Sequence, residues 1–196
     1  MTTLAPLTPL VDAAEVAAVL TRTQLWVERA VIGLNLCPFA KAVHAKRQIR
    51  YSVTGATTGE ELLAELAQEL TLLDQADPES LSTTLLVHPA VMTDFLEYNA
   101  FLETADDAVQ ALGLEGVLQV ASFHPQYQFA DSGPDDIDNY SNRSPFPTLH
   151  LLREESIDRA VDAFPSAEAI FGANIRTLRQ LGKSGWRALF EDPGDN

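Results

Sequence analysis

The sequence predicts an α/β (α+β) fold: one domain with a mixed sheet of four to five strands, βαβ crossovers, an N-terminal helix and packed C-terminal helices. Three observations carry this. Segments with apolar residues at helical spacing alternate with short strand-like runs, the order of consecutive βαβ units. A length of 196 residues matches one domain with a core of its own. No internal repeat, low-complexity tract or linker divides the chain, so one domain is expected over 11–190 between flexible tails at 1–10 and 191–196.

The first helix is read over Asp12–Gly33, because Val16, Val19, Leu20, Thr23, Val27, Ala30, Val31 and Leu34 fall on one helical face. Asp12 with Glu15 resembles a capping box, and Gly33 lies near the exit. Pro38 then disfavours helix at Cys37, so "LNLCPFA" is a turn. "QIRYSV" alternates as a strand, and the following helix carries Leu62, Leu63, Leu66, Leu70 and Leu73 on one side. "STTLLVHP" is the second strand, stopped by Pro89, and a helix over Val91–Leu112 follows. "GVLQVASFHP" is the third strand, so continuously apolar that cover on both faces is expected. "TLHLLRE" is the fourth, free to run antiparallel, whereas the two strand–helix–strand units imply a locally parallel arrangement of the first three. "ESIDRAVDAF" and "SAEAIFGANIRTLRQLG" read as two closing helices.

Composition narrows the function. The net charge is −15 and the pI near 4.4, which argues against nucleic acid or an anionic membrane as the main partner. No apolar run approaches the roughly 18 residues of a bilayer span, and the start lacks the basic and apolar regions of a signal peptide. A single cysteine cannot form an internal disulfide, as expected of a cytoplasmic protein. Charge is also segregated: no Lys or Arg occurs between Tyr51 and Asn142, whereas "KAVHAKRQIR" packs Lys41, Lys46, Arg47 and Arg50 together. The plain reading of that basic segment is that it docks on the acidic body or is solvated.

His88 and His124 each end a strand and precede a proline. On parallel neighbours both would stand at the carboxyl edge of the sheet, where open α/β folds bind ligands; for each alone, a histidine that satisfies strand-end backbone groups is the commoner outcome. The connection from Ser122 to Glu154 exceeds the 12 to 15 residues usual for irregular links in compact domains. Tyr127, Phe129, Tyr140 and Phe146 anchor it, prolines stiffen it, and Asn142, Arg143 and Ser144 supply polar groups, so a lid or pocket wall is expected. "NYS" and "NRS" match a glycosylation pattern that requires secretion and are read as coincidental. His150 alternates in the fourth strand with Leu149 and Leu151, and a buried core histidine is its plain reading. Arg153 follows and with Arg143 would form a fork for a carboxylate or phosphate; the alternative is pairing with acids such as Asp136 or Glu155. Cys37 is either a thiol activated by Lys41 and His44 or, more simply, buried and inert. Cys37 with His88, His124 and His150 would suit zinc or ferrous iron, although no CxxC, HxH or HExxH spacing is present. "DSGPDDID" lacks the glycine and final Glu of a calcium loop, and phosphate-cradling, dinucleotide and GxSxG motifs are missing.

The segments "WVERAVIGLNLCPFAKAV", "TTLLVHP", "LEGVLQVASFHPQYQFA" and "NRSPFPTLHLLREESIDRAV" resemble a bacterial family known as a domain of unknown function, number 1415. The likeness runs from about Trp26 to Trp186. It implies membership and no activity, and it carries over no catalytic residue.

The function expected is therefore that of an enzyme, a hydrolase or transferase, acting on a small anionic metabolite. His124 would be its principal acid or base, helped by His88 or His150. Arg143 and Arg153 would hold the anion, and Tyr127, Tyr140, Asn142 and Ser144 would orient the substrate. No cofactor is expected. Two alternatives stay open: a metal-binding protein or metalloenzyme (Zn or Fe) using Cys37 and the histidines, and an acidic, non-enzymatic interaction protein.

Overall fold

Asp12 opens the first helix by accepting a hydrogen bond from the Ala14 N–H at 3.2 Å. Helix α1 runs Ala13–Trp26 and continues directly into a π-helical segment, Val27–Ile32, so the expected rod is present with its last turns wound wider. Gly33 is required at its exit, because a Cβ there would lie 2.3 Å from the Arg29 carbonyl oxygen. The computed structural model describes residues 12–156 and 167–191. The expected tails 1–10 and, but for Glu191, 191–196 lie outside those residues, as does the predicted helix over "ESIDRAVDAF" from residue 157 onward.

A short helix, α2 (Ala40–Ala45), occupies part of the basic segment and leads into strand β1 (Ile49–Val53). Thr58 and Glu61 form a complete capping box for α3 (Gly59–Gln75), whose Leu62, Leu66, Leu70 and Leu73 are fully buried. Strand β2 (Thr83–Val87) is buried at every residue. Helix α4 (Phe95–Ala111) starts later than Val91 because Met92 takes a positive φ of 54° and Asp94 caps the helix through the Leu96 and Glu97 N–H groups. Strand β3 (Leu118–Phe123) follows, then the long connection with one 3-10 segment (Ile137–Asn142), strand β4 (Thr148–Arg153) and helix α5 (Ala167–Ala188), bent at Gly182, φ 66°.

The four strands form one mixed sheet in the order β1-β2-β4-β3. β1 and β2 are parallel, and β4 runs antiparallel to both β2 and β3. Two expectations are corrected here. β2 and β3 are not neighbours, because β4 lies between them. β3 is consequently an edge strand, largely half-buried, and the strands covered on both faces are β2 and β4. An apolar run reports burial, but the choice of partner strand is a long-range matter that periodicity does not encode.

One face of the sheet meets α3 and α4 through a core that joins their leucines, Tyr98 and Phe101 to Leu86, Leu149 and Leu151. On the other face Trp26, Val27 and Ala30 cover Leu85, with Tyr51, Phe123, Trp186 and Phe190 at the margin. The basic segment docks on acids, as its plain reading predicts. Arg50 forms a two-pronged pair with the buried Glu69 at 2.8 and 2.9 Å, Lys46 lies 3.9 Å from Glu79, and His44 lies 3.6 Å from Glu28.

Candidate functional site

Because β2 and β3 point the same way, His88 and His124 do share one rim. The ring of Tyr98 stands between them, its centroid 5.7 Å from that of His88 and 5.0 Å from that of His124. The Tyr98 hydroxyl donates to the Thr148 carbonyl at 2.8 Å and accepts from the Phe123 N–H at 3.1 Å, so all three rings tie strand ends together. His124 donates from Nε2 to the Met92 carbonyl at 3.2 Å and accepts the Gln126 N–H on Nδ1 at 3.0 Å. Both its nitrogens are engaged by backbone. Burial lowers its pKa, and the Met92 and Thr93 carbonyls and Asp94 oppose that shift. His88 donates from Nδ1 to the Val91 carbonyl at 3.0 Å, while its Nε2 is buried without a partner. Desolvation, helped by the neighbouring His124, pushes its pKa down to about 4.

His150 lies on the opposite face, in line with Tyr51, Leu85 and Ala121 across the sheet. The Thr83 hydroxyl gives its hydrogen to the Leu151 carbonyl at 2.6 Å, so it accepts from His150 Nε2–H at 2.8 Å and leaves Nδ1 as the unused acceptor. The ring keeps some solvent exposure, yet is crowded enough for burial to push its pKa down to about 4. Cys37 is half-buried beyond the π segment. These four candidates form no common centre, and among the described residues no group of three or more His, Cys, Asp or Glu side chains is placed to hold a metal ion.

The two arginines also part company. Arg153 is buried and donates to the Leu73, Ala76 and Leu81 carbonyls, so it caps the C-terminal end of α3, whose last turn has no basic residue of its own. Arg143 is at the other end of β4, in the long connection, so the expected fork between the two does not form. Nor does Arg143 pair with Asp136. Its Nε and Nη2 donate to the Tyr127 and Pro134 carbonyls at 3.2 and 2.6 Å, and its guanidinium lies over the Tyr140 ring at 4.4 Å.

That connection is ordered from within. Asn139, fully buried, accepts from the Phe129 N–H and the Ser132 hydroxyl at 3.0 and 2.6 Å and donates to the Gly133 carbonyl at 2.8 Å. Asn142 donates to the Ser122 carbonyl at 3.3 Å, Ser144 to the Phe146 carbonyl at 2.6 Å, and Tyr127 packs between Phe95 and Phe129. Arg179–Asp138 and Lys183–Asp135 pairs, 2.7 and 2.9 Å, hold α5 against it.

The connection is a pocket wall. Its Pro125, Tyr140, Arg143, Ser144 and Pro145 form one side of a cleft of about 510 Å³. Arg22, Leu25 and Trp26 of α1 form another, and Trp186 and Arg187 of α5, with Phe190 just beyond it, a third. The lining carries three guanidinium groups and no carboxylate. Among the described residues none of the three is ion-paired. Arg22 rests on the Phe146 ring at 4.8 Å, and Arg187 donates from Nε to the Lys183 carbonyl at 3.4 Å. Trp186 meets Tyr140 edge-on at 5.2 Å and Phe190 at 5.7 Å.

Arg143, Tyr140 and Ser144 are thus the expected binding residues that line the cleft. Arg22, Trp26, Trp186, Arg187 and Phe190 were not singled out from the sequence. The available signal is that each of the two tryptophans has an arginine beside it in a helix, four residues away for Arg22 and adjacent for Arg187.

The model of a family described as "Protein of unknown function (DUF1415)" matches residues 18–188, and the chain belongs to that family. No curated protein and no solved structure matches it.

Proposed function

We propose that this protein binds a small anionic metabolite in the cleft between α1, the long connection and α5, and acts on it as a hydrolase or transferase. One observation carries the reading: three arginines that form no ion pair among the described residues line a single cleft of a chain whose net charge is −15. A cleft of this size, with apolar walls and a few convergent polar groups, suits a small ligand. Arg143 is the fixed anchor, since two carbonyls and a ring hold it before any ligand arrives. None of the three histidines offered for proton transfer is among the residues that line the cleft; His150 is the one on the same face of the sheet, opposite Leu85.

Both tryptophans of the chain line the cleft, so their fluorescence reports occupancy. Titration with benzoate, citrate, inorganic phosphate and nucleoside monophosphates is expected to change it for at least one anion. Arg187→Ala should weaken that binding about tenfold, the loss of one charge-assisted contact. An unchanged signal and melting temperature across the whole panel would overturn the reading.

A second reading has its own observation. The stretch from Ser52 to Asn142, which includes α3 and α4, holds none of the 13 basic residues and most of the 28 acidic ones, the character of a surface that docks a basic protein partner.

A further inference from the structure

We infer that the ligand of the Arg22–Arg143–Arg187 cleft is a phosphate monoester carried on a flat aromatic body, of about mononucleotide size. The inference rests on the anion-binding reading above and narrows its chemical class.

Donor supply argues for phosphate. A guanidinium carries five N–H donors. Arg143 uses Nε and Nη2 on backbone carbonyls, Arg187 uses Nε, and Arg22 lies against a ring with its donors unengaged among the described residues. The donors that remain far exceed the roughly four acceptor sites of one carboxylate. Three positive charges would also leave a monoanion more overcompensated than a phosphate dianion, whose three terminal oxygens take up more of both the charge and the donors. The lining offers no carboxylate, so the ammonium of an amino acid or polyamine would have nothing to pair with there.

The walls argue for the flat body. Trp26, Tyr140, Trp186 and Phe190 supply the apolar surface beside the arginines. Tyr140 and Trp186 are held edge-on to each other at 84°, so their positions are set before a ring enters. Ring stacking of this kind contributes to binding in nucleic-acid sites and is indifferent to base identity. The volume of about 510 Å³ lies inside the range of roughly 300 to 1,000 Å³ usual for small-ligand sites.

The test uses the full chain and five phosphate probes: the four ribonucleoside 5′-monophosphates and 4-nitrophenyl phosphate. The controls are inorganic phosphate, adenosine and indole-3-acetate, all followed by tryptophan fluorescence and calorimetry. At least one phosphate monoester should bind about tenfold or more tightly than each control. Arg187→Ala, an exposed position at a helix end, should remove most of that preference, and Arg143→Lys, which keeps the charge without the planar fork, should reduce it. Indole-3-acetate binding as tightly as the best monoester would refute the phosphate assignment and leave the anion-binding function standing. Inorganic phosphate alone binding as tightly would refute the aromatic body. Failure of every anion to bind would remove both proposals together.

Discussion

The two faces of the sheet are built from different chemistry. On the α3–α4 face, Leu62, Leu66, Leu70 and Leu73 interlock with Leu86, Leu149 and Leu151, and the stretch carrying these helices has no cation. On the α1–α5 face Trp26, Val27 and Ala30 cover Leu85, with the rings of Phe123, Trp186 and Phe190 at the margin and arginines standing at the opening between the helices. Buried polar atoms without a hydrogen bond occur on both faces: the Tyr51 hydroxyl on this one, the Thr84 hydroxyl and His88 Nε2 on the other. The contrast teaches a division of labour. Buried leucines contribute stability by leaving water, whereas rings and guanidiniums at a rim present surfaces that a guest can meet.

Four measurements break or sharpen this contrast. The largest effect is expected at Leu66→Ala, which removes a fully buried side chain from the leucine layer and should cost about 2–5 kcal/mol in urea unfolding. The cleft is on the other side of the sheet, so the folded fraction should still bind the same anions. Binding lost in step with stability would mean the faces are not separable.

Acid comes next. His88 on one face and His150 on the other both have pKa values pushed down to about 4 from 6.5 by burial. The unfolded chain therefore takes up protons first, and stability present above pH 6.5 falls as the pH drops toward 4. Each ring contributes at most about 3 kcal/mol to that loss. His88→Gln and His150→Asn should each flatten the pH profile of the unfolding midpoint between those values; a profile unchanged in both variants would show that the rings are not the source.

A smaller effect of opposite sign is expected at Tyr51. Its hydroxyl is buried without a partner, and burial, helped by Glu28, pushes its pKa up to about 12. Tyr51→Phe removes an unsatisfied polar atom and should raise stability by about 1 kcal/mol. Destabilisation would mean that the hydroxyl has a role in the layer after all. The smallest effect belongs to Lys183→Ala. Its pair with the exposed Asp135 should add nothing measurable to the melting temperature, although a clear drop would make α5 a strained wall of the cleft.

Much of the leucine layer was legible in advance. The spacing of Leu62, Leu66, Leu70 and Leu73 and the alternation at His150 are local patterns, and local patterns set these elements. Strand order was not, since a central β4 depends on pairings across more than 60 residues. The site divides in the same way. Arg143 was legible as a lone cation in a long, aromatic connection. Arg22 and Arg187 read as ordinary solvent-facing helix residues, and only folding brings the two ends of the chain to one opening. The fork with Arg153 does not form because the partners of Arg153 are backbone carbonyls at and beyond the end of α3, which have no side-chain signature. At His124 the plainer of the two readings describes the ring, whose nitrogens both meet backbone groups; a histidine beside a proline looks alike in sequence whether its nitrogens meet substrate or backbone.

The position of β4 has a consequence for how the molecule comes into being. Among the described residues strand β3 pairs with β4 alone, and β4 is synthesised after the whole connection. On a growing chain β1 and β2 can join early, but β3 must wait as an orphan until residue 153 has emerged. The arginine opening thus takes shape only at the close of assembly, after the last strand has zipped two halves into one and α5 has closed over the join.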